Sequence, residues 1–145
     1  PIQIAMAMEA PDDLLQLTDL TTETIAGALE ERFARKVSCT YAGDILIALN
    51  PYSWVDGAHS DEVASAYKGH AIGELPPHLY AITSAIHAAK DTRRHIVICG
   101  ESGAGKTEAA KIVLRYLAFL EVDATPASPG GAPIPLLPSL LLRTN

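Results

Sequence analysis

Gly100-Glu101-Ser102-Gly103-Ala104-Gly105-Lys106-Thr107 satisfies the pattern G-x-x-x-x-G-K-[ST], with a third glycine inside it. Each position has a physical task. Glycines permit backbone angles that let successive amide N–H groups curve around an anion, and a helix opening on the loop turns its positive end toward the same point. In such a loop Lys106 reaches the β- and γ-phosphates of a nucleotide, and the Thr107 hydroxyl ligates Mg2+. A chance match in a chain of this length is on the order of one in a few hundred. The setting narrows it further, because a phosphate loop follows a strand and opens a helix. The sequence predicts a short strand over 95–99, with Ile96, Val97 and Ile98 at its heart. It predicts a helix over 107–120 that turns Ile112, Val113, Tyr116, Leu117 and Leu120 inward.

Upstream, Leu75-Pro76-Pro77 reads as a helix start, since proline suits the first helical position. Leu79, Ile82, Ile86 and Ala89 carry that helix to about Lys90. A short helix is expected over 61–67, after a loop through Trp54, Asp56 and Gly57. Residues 37–41 and 44–49 read as two strands joined by a tight turn at Ala42-Gly43. The nearly continuous apolar run Ile45, Leu46, Ile47, Leu49 suggests a strand covered on both faces. Asn50-Pro51 stops it. Before the strands, Thr21 or Thr22 can cap a helix, and Ile25, Leu29 and Phe33 place one apolar stripe on it as far as Arg35.

After Glu121 the composition shifts. Residues 122–145 carry Pro126, Pro129, Pro133, Pro135 and Pro138 with Gly130 and Gly131, which cannot sustain helix or central strand, so a disordered or extended tail is expected. Residues 1–11 read as an N-terminal lead-in, without the basic and apolar regions of a signal peptide. A chain that begins with Pro1 reads as a fragment.

The net charge of −6 gives no electrostatic reason to expect nucleic-acid binding, and no stretch approaches the roughly 20 apolar residues of a membrane span. The basic groups Arg32, Arg35, Lys36 and Lys90, Arg93, Arg94 read as solvated helix ends. Two cysteines, Cys39 and Cys99, make no disulfide framework and point to a reducing cytosol.

The loop extended to Glu108 resembles the phosphate loop of the myosin motor domain. Other segments match in the same order: Asp19-Leu20-Thr21, residues 29–33, Thr40-Tyr41-Ala42-Gly43-Asp44-Ile45-Leu46-Ile47-Ala48-Leu49-Asn50-Pro51-Tyr52, Tyr67-Lys68-Gly69, Glu74-Leu75-Pro76-Pro77-His78-Leu79-Tyr80-Ala81-Ile82 and Leu114-Arg115-Tyr116-Leu117-Ala118. The resemblance covers about three-quarters of the chain, from Asp12 to Leu120, so residues 12–121 read as a partial motor domain.

The resemblance implies that Gly100, Glu101, Ser102, Gly103, Ala104, Gly105, Lys106, Thr107 and Glu108 hold Mg·ATP, with Thr107 on the metal. Ser102 matches a serine close to the γ-phosphate that assists proton movement during hydrolysis. A solvated or salt-bridging role is expected for the side chains of Glu101 and Glu108. Asn50, Pro51 and Tyr52 match the start of the family's purine-binding loop, which lies against adenine. That loop ends in a tyrosine near the position of Ala58 or His59. The tyrosine is absent here, and His59 is either its stacking replacement or a solvated loop histidine. Cys99 stands where the family has serine or threonine. It is expected to be a buried, inert thiol, with a reactive thiol beside ATP as the alternative.

The fold implied is α/β, of the P-loop NTPase type: part of a mostly parallel central sheet flanked by helices, the rest coming from later family sequence. An isolated piece of that sheet is expected to expose edges and apolar faces and to be poorly soluble or partly folded. The function implied is the ATP-binding portion of an actin-based, actin-activated ATPase, cytoplasmic and associated with the cytoskeleton. Hydrolysis also needs the family's switch I and switch II segments, which are not found after Leu120, and the actin-binding region belongs to later family sequence. The alternative is a truncated non-motor protein that binds nucleotide or partners without ATPase activity. An unrelated P-loop enzyme would need an acidic Mg2+ partner after an apolar strand, and neither Asp44 nor Asp56 sits there.

Overall fold

Thr21 begins the first helix, α1 (Thr22–Ala34), with a reciprocal cap in which its hydroxyl accepts from the Thr24 N–H and the Thr24 hydroxyl accepts from the Thr21 N–H. The helix ends in a Schellman arrangement. The Val37 N–H reaches the Arg32 carbonyl at 3.0 Å and the Lys36 N–H reaches that of Phe33 at 2.9 Å. Lys36 is left-handed at φ 64°. The computed structural model describes residues 9–53, 57–89 and 95–124, the last two by backbone alone. Residues 125–145 of the expected tail, Trp54, Asp56 and the basic group Lys90, Arg93, Arg94 lie outside them, whereas residues 122–124, assigned to that tail from sequence, continue the last helix.

Two strands follow, β1 (Cys39–Ala42) and β2 (Ile45–Ala48), paired antiparallel with Tyr41 opposite Leu46 and Thr40 opposite Ile47. The chain reverses at Gly43 and Asp44, one residue later than the sequence suggests. Strand alternation splits the hairpin between two cores. Tyr41 and Leu46 join Ala64, Tyr67, Tyr80, Ala81, Tyr116 and Leu120. Ala42 and Ile47 join Ala10, Leu14 and Ala28 on the α1 side. β2 is therefore touched on both faces but not covered along its length, since Ile45 is 66% exposed.

The α1 stripe is met in part: Ile25 and Leu29 pack against the Ala10, Leu14 and Ala28 core. Ala28 and Arg32 are the fully buried positions, while Phe33 is exposed. Arg32 is not a solvated helix end. Its guanidinium is buried and donates to the Thr40 hydroxyl and to the carbonyls of Ala10, Pro11 and Cys39, and it pairs with Asp12 at 2.8 Å. Residues 10–12 are thereby bound to the hairpin, reinforced by a 2.8 Å bond from the Tyr41 N–H to the Asp12 carbonyl. Arg35, exposed, pairs with Glu9.

Three more helices complete the described chain: α2 (Asp61–Tyr67), α3 (Leu79–Ala88) and α4 (Lys106–Ala124). Ser60 caps α2 and His78 caps α3. Pro76 and Pro77 precede that cap rather than opening the helix, because His78 stays extended at φ −156° and ψ 153° and its ring accepts from the Tyr80 N–H. α3 lies against α4 through Tyr80 and Tyr116, whose rings stack 4.2 Å apart at 22°.

Residues 95–100 run without a sheet partner among the described residues, so the strand expected there is not formed. A strand exists by its ladder, and the two strands that are described pair only with each other. Val97 is 78% exposed, and Cys99 is exposed rather than buried. The parallel central sheet expected from sequence is likewise not seen among the described residues.

Candidate functional site

The eight-residue loop 100–107 joins the unpaired segment to α4 and sits against the chain leaving β2. Gly103 and Gly105 take left-handed angles, φ 82° and 89°, which side chains rarely adopt. The Ala104 N–H returns to the Glu101 carbonyl at 3.2 Å, and the Ala109 N–H to that of Gly105 at 2.9 Å, so the loop closes directly into the helix. A Cβ on Gly100 would meet the Ala104 Cβ at 3.1 Å, so glycine there lets the two ends of the turn approach.

Lys106 folds back over this turn. Its ammonium donates to the carbonyls of Gly100 at 2.8 Å and Glu101 at 2.7 Å. Two of its three N–H donors are used in this way, which leaves one to turn toward an anion at the loop. Ser102 and Thr107 are exposed, so both hydroxyls are accessible. Glu108 pairs with Lys111 at 2.7 Å along the helix surface. The Glu101 side chain is exposed.

Asn50 connects this loop to the second segment. Its side-chain N–H donates to the Gly103 carbonyl at 2.9 Å, and its side-chain oxygen accepts from the Tyr52 N–H at 2.9 Å. Pro51 is half-buried, whereas Tyr52 is 85% exposed and held at φ 51°. An exposed ring on left-handed backbone is a strained arrangement, and strain of this kind concentrates at binding sites. The structure thus brings Asn50, Pro51 and Tyr52 to the flank of the loop 100–107.

His59 is half-buried, not a solvated loop histidine. Its ring centroid lies 5.2 Å from that of His78 and 5.8 Å from that of Tyr80. Burial, and secondarily the charge of Arg115, hold its pKa below the ordinary histidine value. Its Nδ1 is buried without a hydrogen-bond partner, at a cleft of about 100 Å³ lined also by Asp61 and Arg115. His78 and Tyr80, to which sequence reasoning gave no role, hold this end of the loop. His78 Nε2 lies 3.0 Å from the Ala58 carbonyl, and the Tyr80 hydroxyl donates to that of His59 at 3.1 Å. The signal that could have drawn attention to them was a ring-bearing residue at the first position free of the double proline.

A larger cleft, about 410 Å³, lies elsewhere, between residues 12–16, the β1–β2 hairpin and residues 72–76. Asp12, Asp13, Asp44 and Glu74 line it, a charge set that repels polyphosphate, and no residue of 100–107 takes part. Among the described residues no cluster of His, Cys, Asp or Glu is suited to hold a metal ion by itself. A single hydroxyl such as that of Thr107 suits Mg2+, which takes few protein ligands and shares its shell with water and phosphate oxygens. No helix among the described residues is long and apolar enough to cross a membrane.

Comparison with known proteins identifies the family. The family described as myosin head (motor domain) matches residues 11–132. The myosin IC heavy chain of Dictyostelium discoideum is 36% identical over 143 residues, 97% of this chain and 12% of that protein. The unconventional myosin-XV of Homo sapiens is 44% identical over 112 residues, 75% of this chain and 3% of that one. Myosin-5 of Arabidopsis thaliana is 41% identical over 119 residues, 77% and 8% of the two chains. The chain therefore spans no more than 12% of the length of these relatives.

Proposed function

The chain belongs to the myosin head (motor domain) family, a family of actin-based motors with a P-loop NTPase fold, and from that premise we propose that it binds Mg·ATP through residues 100–108 with Asn50, Pro51 and Tyr52 at the base. The observation that carries the reading is Lys106, whose ammonium is held over a loop of left-handed glycines that opens α4. Backbone N–H groups of the loop and the positive end of α4 bind the phosphates. Lys106 supplies the compensating charge at the β- and γ-phosphates, and Thr107 supplies one oxygen to Mg2+. Mg2+, when bound, would supply positive charge that offsets the charge of the phosphates, with Thr107 as the residue that would hold it. Ser102, which is exposed in the loop, would be the residue that passes a proton near the γ-phosphate. Tyr52 offers its ring as an apolar face for a purine.

Hydrolysis, movement on actin filaments and association with the cytoskeleton are proposed for the longer protein of which such a head is part. Grip on phosphate belongs to the residues described here. Titration with a fluorescent ATP analogue tests it. A charge-assisted contact contributes about 1.5–3 kcal/mol, so Lys106→Ala should weaken binding by about tenfold or more. Equal affinities in the two proteins would overturn the proposal.

A further inference from the structure

We propose that the cleft between α2 and α4 is a binding site for ordered water, and that this water is the hydrogen-bond partner of His59 Nδ1. The site stands independently of the nucleotide reading given above. Its volume is about 100 Å³. α2 contributes Asp61 and Ala64 to its lining, and α4 contributes Ile112, Arg115 and Phe119. His59, two residues before α2 begins, lines it as well. The Nδ1 atom of that ring is buried and has no hydrogen-bond partner in the protein. Buried nitrogens are nearly always satisfied, by protein or by water, because an orphaned one keeps the full cost of its lost hydration. No side chain or carbonyl meets this one, and the cleft is the space in which a partner can stand.

The chemistry of the lining selects water over other ligands. At the roughly 30 Å³ that a water takes in the liquid, there is room for about three. Asp61 and Arg115 bring charges of opposite sign, so the cleft has no net pull on an anion or on a cation. No ion pair joins the two among the described residues, which leaves carboxylate acceptors and guanidinium donors for waters that start at Nδ1. Burial, and secondarily Arg115, favour the neutral form of the His59 ring. A neutral imidazole has one donor and one acceptor nitrogen, and water answers whichever of them Nδ1 is. Ala64, Ile112 and Phe119 alone would line a cleft that stays dry; the polar groups change that outcome. The Tyr116 hydroxyl is also buried without a hydrogen-bond partner. Burial raises its pKa and the Ser84 side chain of α3 lowers it, so that hydroxyl is referred to α3 and is not counted in the site.

The test compares the 145-residue chain with His59→Phe, which keeps an aromatic ring and removes both nitrogens. Long-lived internal water is counted by oxygen-17 magnetic relaxation dispersion and located by cross-relaxation to the carbon-bound ring protons of His59. The expected result is cross-relaxation at His59 in the unmodified chain, and a count that falls by about one water or more in the variant. Equal counts in the two proteins, or no cross-relaxation at His59, would overturn the proposal. Xenon gives a second reading on the unmodified chain, because it enters dry apolar cavities. Xenon that leaves the methyl resonances of Ala64 and Ile112 unshifted agrees with a hydrated cleft. Xenon that binds there and shifts them would show a dry one and overturn the proposal. Should His59→Phe fail to fold, cross-relaxation and xenon on the unmodified chain decide the matter without it.

Discussion

Asn50 and Gly103 are joined by a 2.9 Å hydrogen bond from the asparagine side chain to the glycine carbonyl, across 53 residues of sequence. The same asparagine accepts from the Tyr52 N–H, so one side chain sets both the flank of the loop 100–107 and the turn that presents Tyr52. Behind it, the Asn50 side chain lies 3.7 Å from where a Cβ on Gly105 would stand. Asn50→Ala should therefore weaken Mg·ATP binding by about fivefold to tenfold. Asn50→Asp should be worse, because it keeps the acceptor for Tyr52 but sets a carboxylate against the Gly103 carbonyl and near the phosphates. Titration with a fluorescent ATP analogue reads both, and an aspartate variant that binds as well as the unmodified chain would refute the assignment.

Arg32 predicts a stability difference between the two sides of one ion pair. Its guanidinium is buried on four acceptors, whereas the Asp12 side chain is 57% exposed. Arg32→Met strands the carbonyls of Ala10, Pro11 and Cys39 with the Thr40 hydroxyl, at a cost of about 3 kcal/mol. Asp12→Asn removes only a partly solvated partner and should cost no more than about 1 kcal/mol. Urea denaturation monitored by circular dichroism distinguishes them. Equal costs would mean that the ion pair, not the carbonyl network, is the stabilising element.

His78 gives the chain an acid-sensitive joint. Burial foremost, and the neighbouring His59, push its pKa from 6.5 down to about 4. Tyr67 and Tyr80 close over the ring with centroids at 5.0 and 4.5 Å. Between those two values the unfolded chain binds a proton that the folded chain excludes, so stability is full above about pH 6.5 and falls as pH drops toward about 4. The loss at about pH 5 should approach 2 kcal/mol. His59 is shifted in the same direction and adds to the slope. Denaturation curves at neutral pH and at about pH 5 should separate by less in His78→Asn, and an unchanged slope would place the sensitivity elsewhere.

Elements whose determining signals are local are legible in the amino-acid sequence. Thr21 and Thr24 close a cap within four residues, and Val113, Tyr116 and Leu120 recur at helical spacing, so α1 and α4 were legible from side-chain types. Arg32 was not, because three of its partners are backbone carbonyls that no side-chain pattern reveals. The segment 95–99 has strand composition, but composition cannot supply a ladder, and none forms among the described residues. At the candidate site, Lys106 and Thr107 announce themselves by spacing. The resemblance singled out Asn50, but its bond to Gly103, like the contact of His78 with Ala58, joins segments distant in sequence through a main-chain acceptor.

The two cysteines should react in opposite ways. Cys39 lies half-buried in β1, and burial foremost raises its thiol pKa, which lowers the thiolate fraction available for alkylation. Cys99 is exposed and immediately precedes Gly100, contrary to the buried thiol expected from sequence. A maleimide at neutral pH should therefore label Cys99 first and Cys39 slowly, as read by peptide mass spectrometry. If residues 100–107 close around phosphate, Mg·ATP should slow the labelling of Cys99 and leave the slow phase at Cys39 unchanged. Lys106→Ala should abolish that protection without changing the rate measured in its absence. Protection that persists in the Lys106 variant would show that the nucleotide shields Cys99 from somewhere other than the phosphate loop.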